Sequence, residues 1–217
     1  MKVHGYRAGQ PLSYGKIERA AEHVRSIIAA GVAVNEPLPG IALFESLDQH
    51  WVSLGRKNIA ISYAVEDLQR GVEAQARYDT DRKEIEICLS RPTYEALERE
   101  YPASRYARAK FSLYHEIGHT VLHTDKLVEL STMPHHRAAL LRGEKRNHEV
   151  FMDTEWQANA FAAALQVPAH GLRLLEEEIG ELSPELIMQR FRISRAAADV
   201  RLKLFLERRA QLLGRRG

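Results

Sequence analysis

A single cysteine, Cys88, excludes an intrachain disulfide and any cysteine-based metal cluster, so a metal held by this chain has to be held by histidine and carboxylate. Long hydrophobic runs are missing as well. Nowhere do about 18 apolar residues follow one another, as a membrane span requires. Met1–Arg7 also lacks the roughly 7–15 residue apolar stretch of a signal peptide. A soluble cytoplasmic protein with no membrane partner is the expectation. Charge of one sign is scarce too, since 31 Lys+Arg against 29 Asp+Glu leave a formal net charge of +2. The excess is local: Arg190, Arg192, Arg195, Arg201, Lys203, Arg208, Arg209, Arg215 and Arg216 stand against Asp199 and Glu207 only. Repeats and low-complexity tracts are absent. With 45% hydrophobic residues in 217, one substantial core with a small appendage fits.

Periodicity sketches the elements. Ile17, Ala20, Ala21, Val24, Ile27 and Ile28 make a helix-period stripe over Ile17–Ala30, with Gly31 as its stop, and Asn35–Gly40 turns the chain. Ile41–Leu47 reads as a short helix. Ile59–Tyr63, Val72–Tyr78 and Glu84–Leu89 read as strands, the last two joined by a turn at Asp79–Lys83. Helical character follows from Pro92 to Glu100. Pro102 interrupts it, and Ser104 is placed to cap a long helix, Arg105–His123. Thr124–Thr154, with Pro134 and Gly143, reads as a short helix and loop; Glu155–Val167 is helical and ends at Pro168. Three helices complete the chain: Leu172–Ile179 stopped by Gly180, Pro184–Phe191 after a Ser183 cap, and Arg195 to about Arg209 after a Ser194 cap.

His115-Glu116-Ile117-Gly118-His119 lies inside the long helix, and Glu155 follows 36 positions after His119. Residues four apart on a helix stand about 6 Å apart along the axis on nearly one face, so the two imidazoles can converge on one ion. Glu116 is turned to flank the ion, where it can act as base toward a water in the open coordination position. Glu155 sits on the core-facing side of its own helix, with Ala158, Phe161, Ala162 and Leu165. A carboxylate there costs several kcal/mol unless a cation meets it. Asn159, one turn on, can orient a ligand histidine through its second ring nitrogen. Gly118, Ala158 and Ala162 allow a close helix crossing. Asp153 competes with Glu155 as a ligand from outside the stripe, and His123 is too far along the helix to share the ion, which makes it a buried or capping histidine. Zinc suits two histidines and a carboxylate, although manganese and iron accept the same donors.

The stretches Phe111–His123 and Glu155–Pro168 together resemble the ImmA/IrrE family of metallopeptidases, with Gln166-Val167 in place of the more usual Leu-Met before the proline. The resemblance covers roughly residues 15–205. It implies His115, His119 and Glu155 as zinc ligands and Glu116 as the catalytic acid/base. It also implies an α+β fold: a reduced zincin-like (gluzincin) core with a small, mostly antiparallel sheet and a helical C-terminal region resembling a helix-turn-helix. The boundaries are then 1–170 for the core and 171–217 for the helical subdomain with its basic tail. Members cleave or inactivate a helix-turn-helix repressor, releasing stress-response, phage or mobile-element genes, so the implied partner is a DNA-binding repressor.

Three features stand beside this reading. Glu84–Leu89, or the neighbouring strand ending at Tyr78, can offer an open edge to an extended peptide, unless Glu84 and Glu86 blunt it. A donor for the developing oxyanion is also needed, and Tyr78, Tyr114, His148 and Arg77 are the candidates. Ser183–Leu202 has the cadence of a helix-turn-helix, so direct nucleic-acid contact is the rival function. The expected activity is a zinc-dependent endopeptidase acting on a specific protein. The alternative is a metal-stabilised regulatory binding protein that acts on DNA or a repressor without proteolysis.

Overall fold

In the computed structural model, which describes residues 5–101, 103–133 and 148–214, the first helix begins earlier than its apolar stripe. Pro102, Pro134, Gly143, Arg215 and Arg216 lie outside the described residues. The Ser13 hydroxyl accepts the Lys16 amide at 3.4 Å and caps α1 (Tyr14–Ile28), giving a free helix-end donor a partner. A short α2 (Gly40–Glu45) and a single 3-10 turn lead into β1 (Trp51–Leu54) and β2 (Lys57–Glu66). Gly55, at φ +61, supplies the left-handed backbone between these two strands. β3 (Ala74–Asp79) and β4 (Glu84–Ser90) follow. Asp79 Oδ1 accepts the Asp81 and Arg82 amides and so closes the turn between them.

The four strands run in the order β1-β2-β4-β3, antiparallel except for the parallel pair β2–β4. Glu84–Leu89 is therefore a middle strand and offers no open edge, contrary to one of the two sequence expectations. The physical reason is that its charged face is covered: Arg77 of β3 donates from Nε to Glu86 at 2.9 Å, which lets Glu86 sit buried beside Cys88. The other expectation places the edge correctly, on the strand ending near Tyr78.

α3 (Arg91–Arg99) and α4 (Ala103–Leu122) cross behind the sheet, and α5 (Thr124–Thr132) continues after a break at His123. α4 starts at Ala103, so Ser104 lies inside its first turn and is not the cap. After a short 3-10 turn come α6 (Thr154–Gln166), α7 (Ala169–Ile179), α8 (Pro184–Phe191) and α9 (Arg195–Leu212). Ser183 and Ser194 cap α8 and α9 by accepting the Leu186 and Ala197 amides. Fold class is as expected: α+β, with a reduced zincin-like core.

Two apolar clusters form. The larger packs α1, the sheet, α4 and α6 through Ile17, Phe44, Ile87, Leu113, Tyr114 and Phe161; the smaller lies between α7, α8 and α9 around Leu172, Ile187, Phe191 and Phe205. A buried ion pair joins them. Arg201 on α9 donates to Glu18 on α1 at 2.6 Å and to the Val167 carbonyl at 2.7 Å, while Glu18 also accepts the Ala169 amide at 2.6 Å.

Other basic residues of this last region are paired nearer the surface. Arg190 bonds Glu36 and Glu178, Arg192 bonds Glu100, Arg195 bonds Glu185 and Asp199, and Arg209 bonds Glu176. Among the described residues, no helix is long and apolar enough to cross a membrane.

Candidate metal centre

The site is made by α4 and α6 crossing at contact distance. A Cβ added at Gly118 would stand 3.1 Å from Phe161 and 3.2 Å from the Ala158 backbone, so the glycine is what permits this approach. The crossing brings the three expected side chains together. His115 Nε2 lies 3.2 Å and His119 Nε2 3.3 Å from the two Glu155 oxygens, and the imidazole nitrogens are 3.0 Å apart. These donors fit a small divalent cation with two histidines and one carboxylate.

The chemistry of the donor set makes the same point. Two ring nitrogens and two carboxylate oxygens all present lone pairs into one small volume, which only a cation can reconcile: a proton in the absence of metal, or a metal ion. Burial opposes a charge on His115, but the neighbouring Glu155 and Glu116 outweigh it, and its pKa is raised. Contact with the His115 and His119 rings holds the Glu155 carboxyl well below the usual carboxylate range.

The second ring nitrogens are also engaged. His115 Nδ1 faces Asn159 Oδ1 at 3.0 Å, which is the orienting contact expected of Asn159. His119 Nδ1 faces His123 Nδ1 at 3.2 Å, and His123 Nε2 faces Gln157 Oε1 at 2.9 Å. His123 is buried in the break after α4, where desolvation pulls its pKa down to about 4.

Glu116 points out of the cluster toward the sheet, and its Oε2 accepts the Ala76 amide at 2.7 Å. β3 is the last strand of the sheet, and the Ser90 amide bonds the Glu73 carbonyl, so the register turns the amides and carbonyls of Ala74, Ala76 and Tyr78 to the free side. A cleft of about 330 Å3 opens there between Gly71–Ala74, Arg108, Ser112, His115, Glu116 and Asn159. It continues past Glu73 into a second hollow of about 600 Å3 that Arg105 and Arg108 also line. Glu73 stands at the junction, bonded to Ser112 at 2.7 Å and to Arg108 at 2.5 Å.

Several expected roles are redistributed. Asp153 is no ligand: it caps α6, its carboxylate accepting the Trp156 amide at 2.9 Å and the Gly5 amide at 2.8 Å. Of the four oxyanion candidates, Tyr114 is buried and donates to the Leu38 carbonyl, Arg77 is held by Glu66 and Glu86, and His148 lies against Asp153. Tyr78, on the free-edge strand, is the one not tied elsewhere among the described residues. Glu66, Glu86 and Cys88 also gather within ligand distance, but the Arg77 guanidinium already supplies their cation. Burial pushes the Cys88 thiol up to about 12, which keeps it from acting as a thiolate.

Sequence reasoning missed Gly5. A Cβ there would lie 2.5 Å from the Glu155 amide and 2.9 Å from its Cγ, so the N-terminal segment packs directly on the carboxylate residue. No local signal marks that contact. Gln157 was missed too: two residues after Glu155 it lies on another side of its helix, and only the His115, His119, His123 spacing of four hinted that His123 needs a partner.

No curated protein matches the chain. Residues 102–203 match the peptidase-family model described as the IrrE N-terminal-like domain. That match spans both helices of the site and most of the helices behind it, so residues 102–203 are similar to the ImmA/IrrE-type metallopeptidases.

Proposed function

We propose that the protein is a zinc-dependent endopeptidase that hydrolyses a peptide bond in a specific protein, a helix-turn-helix repressor. In this reading His115, His119 and Glu155 hold the ion and Glu116 is the acid/base. One observation carries it: three ligand groups converge beside a carboxylate that touches the free edge of a strand. Zinc bound there would supply the Lewis acidity that activates water and polarises the scissile carbonyl. An extended segment of the substrate pairs with the free side of β3 at Ala74, Ala76 and Tyr78, which lays its backbone along the cleft beside Glu116. Glu116 takes a proton from the attacking water on its carboxylate and delivers it to the leaving amine. The Ala76 amide holds that carboxylate in place until substrate arrives, and Tyr78 is the donor for the developing oxyanion.

Residues 171–217 form a separate helical unit in this reading, one that packs beside the core and engages the protein partner. The second reading, a binding module without proteolysis, draws on the α8–α9 pair, which has helix-turn-helix form. The pairing of Arg190, Arg192, Arg195 and Arg209 with acids of the same chain supports the peptidase reading over DNA contact, because those charges already have partners.

Glu116→Gln separates the two. Incubation of metal-loaded protein with helix-turn-helix repressors of the same genome, followed by mass analysis, is expected to show cleavage of one of them that disappears in the variant while zinc stays bound. A variant that still acts on the repressor, or a wild type that acts without cutting it, overturns the peptidase assignment.

A further inference from the structure

We propose that His123 and Gln157 are positioning residues that fix which nitrogen of His119 carries the proton, so that His119 meets the ion with an electron pair. The proposal rests on the metal-site reading above. Its starting point is the Gln157 side chain, buried on α6. Its Nε2 lies 3.1 Å from the Gln10 carbonyl and 2.8 Å from the Phe151 carbonyl. Carbonyl oxygens only accept, so both contacts require the NH2 end of the amide. That settles which end is the oxygen.

The rest follows link by link. Gln157 Oε1 faces His123 Nε2 at 2.9 Å, and an amide oxygen cannot donate, so His123 bears its proton on Nε2. His123 is buried, and among the described residues its side chain hydrogen-bonds to His119 and the uncharged Gln157. Being neutral, it has a bare Nδ1. That atom lies 3.2 Å from His119 Nδ1, and a hydrogen bond across this gap requires the proton to sit on His119 Nδ1. His119 Nε2 is then bare, and it is the atom 3.3 Å from Glu155. The opposite arrangement sets two bare nitrogens against each other in a dry site and aims an N–H at the place of the cation. Two backbone carbonyls, from the N-terminal segment and from the turn before α6, thus reach the metal centre through three side chains.

Among the described residues, His115 has the single Asn159 contact to do the same work. The His119 arm is the more rigid of the two, because both of its supporting side chains are buried and the outer one, Gln157, ends on backbone.

Two measurements on the full-length chain test this. In metal-free wild type, a long-range 15N–1H histidine spectrum at pH 8 is expected to show His119 with Nδ1 protonated and Nε2 bare, and His123 with the reverse pattern. Zinc titration against a chelator is expected to show His123→Phe weakened by about 10- to 100-fold, the usual effect of losing a partner of a metal-bound histidine. His123→Asn, whose side-chain oxygen can stand where Nδ1 stood, is expected to bind zinc more tightly than His123→Phe. Circular dichroism checks that each variant is folded, and the spectrum of wild type decides the matter without any variant. A His119 protonated on Nε2, or a folded His123→Phe that binds zinc as tightly as wild type, overturns the proposal and leaves the peptidase reading standing. Wild type that binds no zinc overturns both.

Discussion

Replacing Arg201 with Met tests whether the C-terminal helices are held by the buried ion pair or merely rest against the core. The Glu18 carboxylate is 1% exposed, and its contacts are the Arg201 guanidinium and the Ala169 amide, each at 2.6 Å. Arg201→Met leaves that carboxylate buried with one amide donor. Breaking one side of such a pair costs about 3–5 kcal/mol, a large share of the roughly 5–15 kcal/mol that keeps a domain folded. For a chain of this size, that corresponds to a fall in melting temperature of roughly 6–20 °C.

The double variant Glu18→Gln/Arg201→Met separates the charge from the packing. It keeps an oxygen for the Ala169 amide but buries no charge, so its loss is expected to be smaller than that of Arg201→Met alone. Urea unfolding with a chelator present removes the contribution of bound metal from the comparison. A single variant that loses less than about 1 kcal/mol, or a double variant no better than the single, would falsify the claim that an uncompensated buried carboxylate is the cost.

Gly5→Val is expected to lower zinc affinity by about tenfold or more, because the added Cβ falls within 2.9 Å of Glu155 Cγ; unchanged affinity in a chelator competition would sink this. In metal-free protein, the raised His115 pKa contributes stability that is present below about 6.5 and lost at higher pH, and the lowered Glu155 pKa contributes stability present above about 4.3 and lost in acid. The stability gap between wild type and Glu155→Gln is therefore expected to peak between about 4.5 and 6.5, and urea midpoints that show no such peak refute it. His123, held down to about 4, acts the other way by removing stability below about 6.5, but it is common to both proteins and cancels in the gap. Zinc affinity itself is expected to rise with pH, since the ion displaces protons. Duplex DNA is expected to bind weakly even at low salt; tight binding with a steep salt dependence would restore the DNA-contact reading.

The two helices of the site were legible because their signals are local. The four-residue spacing of His115 and His119 determines that both face one way whatever the rest of the chain does. The small residues Gly118 and Ala158 announce a close crossing, and the Ser183 and Ser194 caps mark helix starts from chemistry within one turn. The sheet was less legible. Trp51–Leu54 is four residues long with an exposed Trp51, too short and too open to read as a strand. The alternating Glu84-Ile85-Glu86-Ile87 looks like an edge with one wet face, and only the Arg77 guanidinium, arriving from the neighbouring strand, makes that face buriable.

The residues that orient the ligands were hidden for a different reason. Gln157 matters because of Gln10, 147 positions away, and Gly5 matters because of the Asp153–Glu155 backbone, a comparable distance along the chain. Spacing on a helix says which side chains share a face, but it says nothing about which loop carbonyl will stand opposite. The consequence for His119 is concrete. Its spacing from His115 decides that it can reach an ion, while the proton it carries depends on Gln10 and Phe151, two carbonyls whose positions exist only in the folded chain. A segment spliced from this protein with both motif helices intact but without residues 5–12 would keep every ligand and lose one of the two contacts that orient the Gln157 amide. Reading the ligands is thus a matter of helix geometry, and reading their protonation requires the tertiary fold.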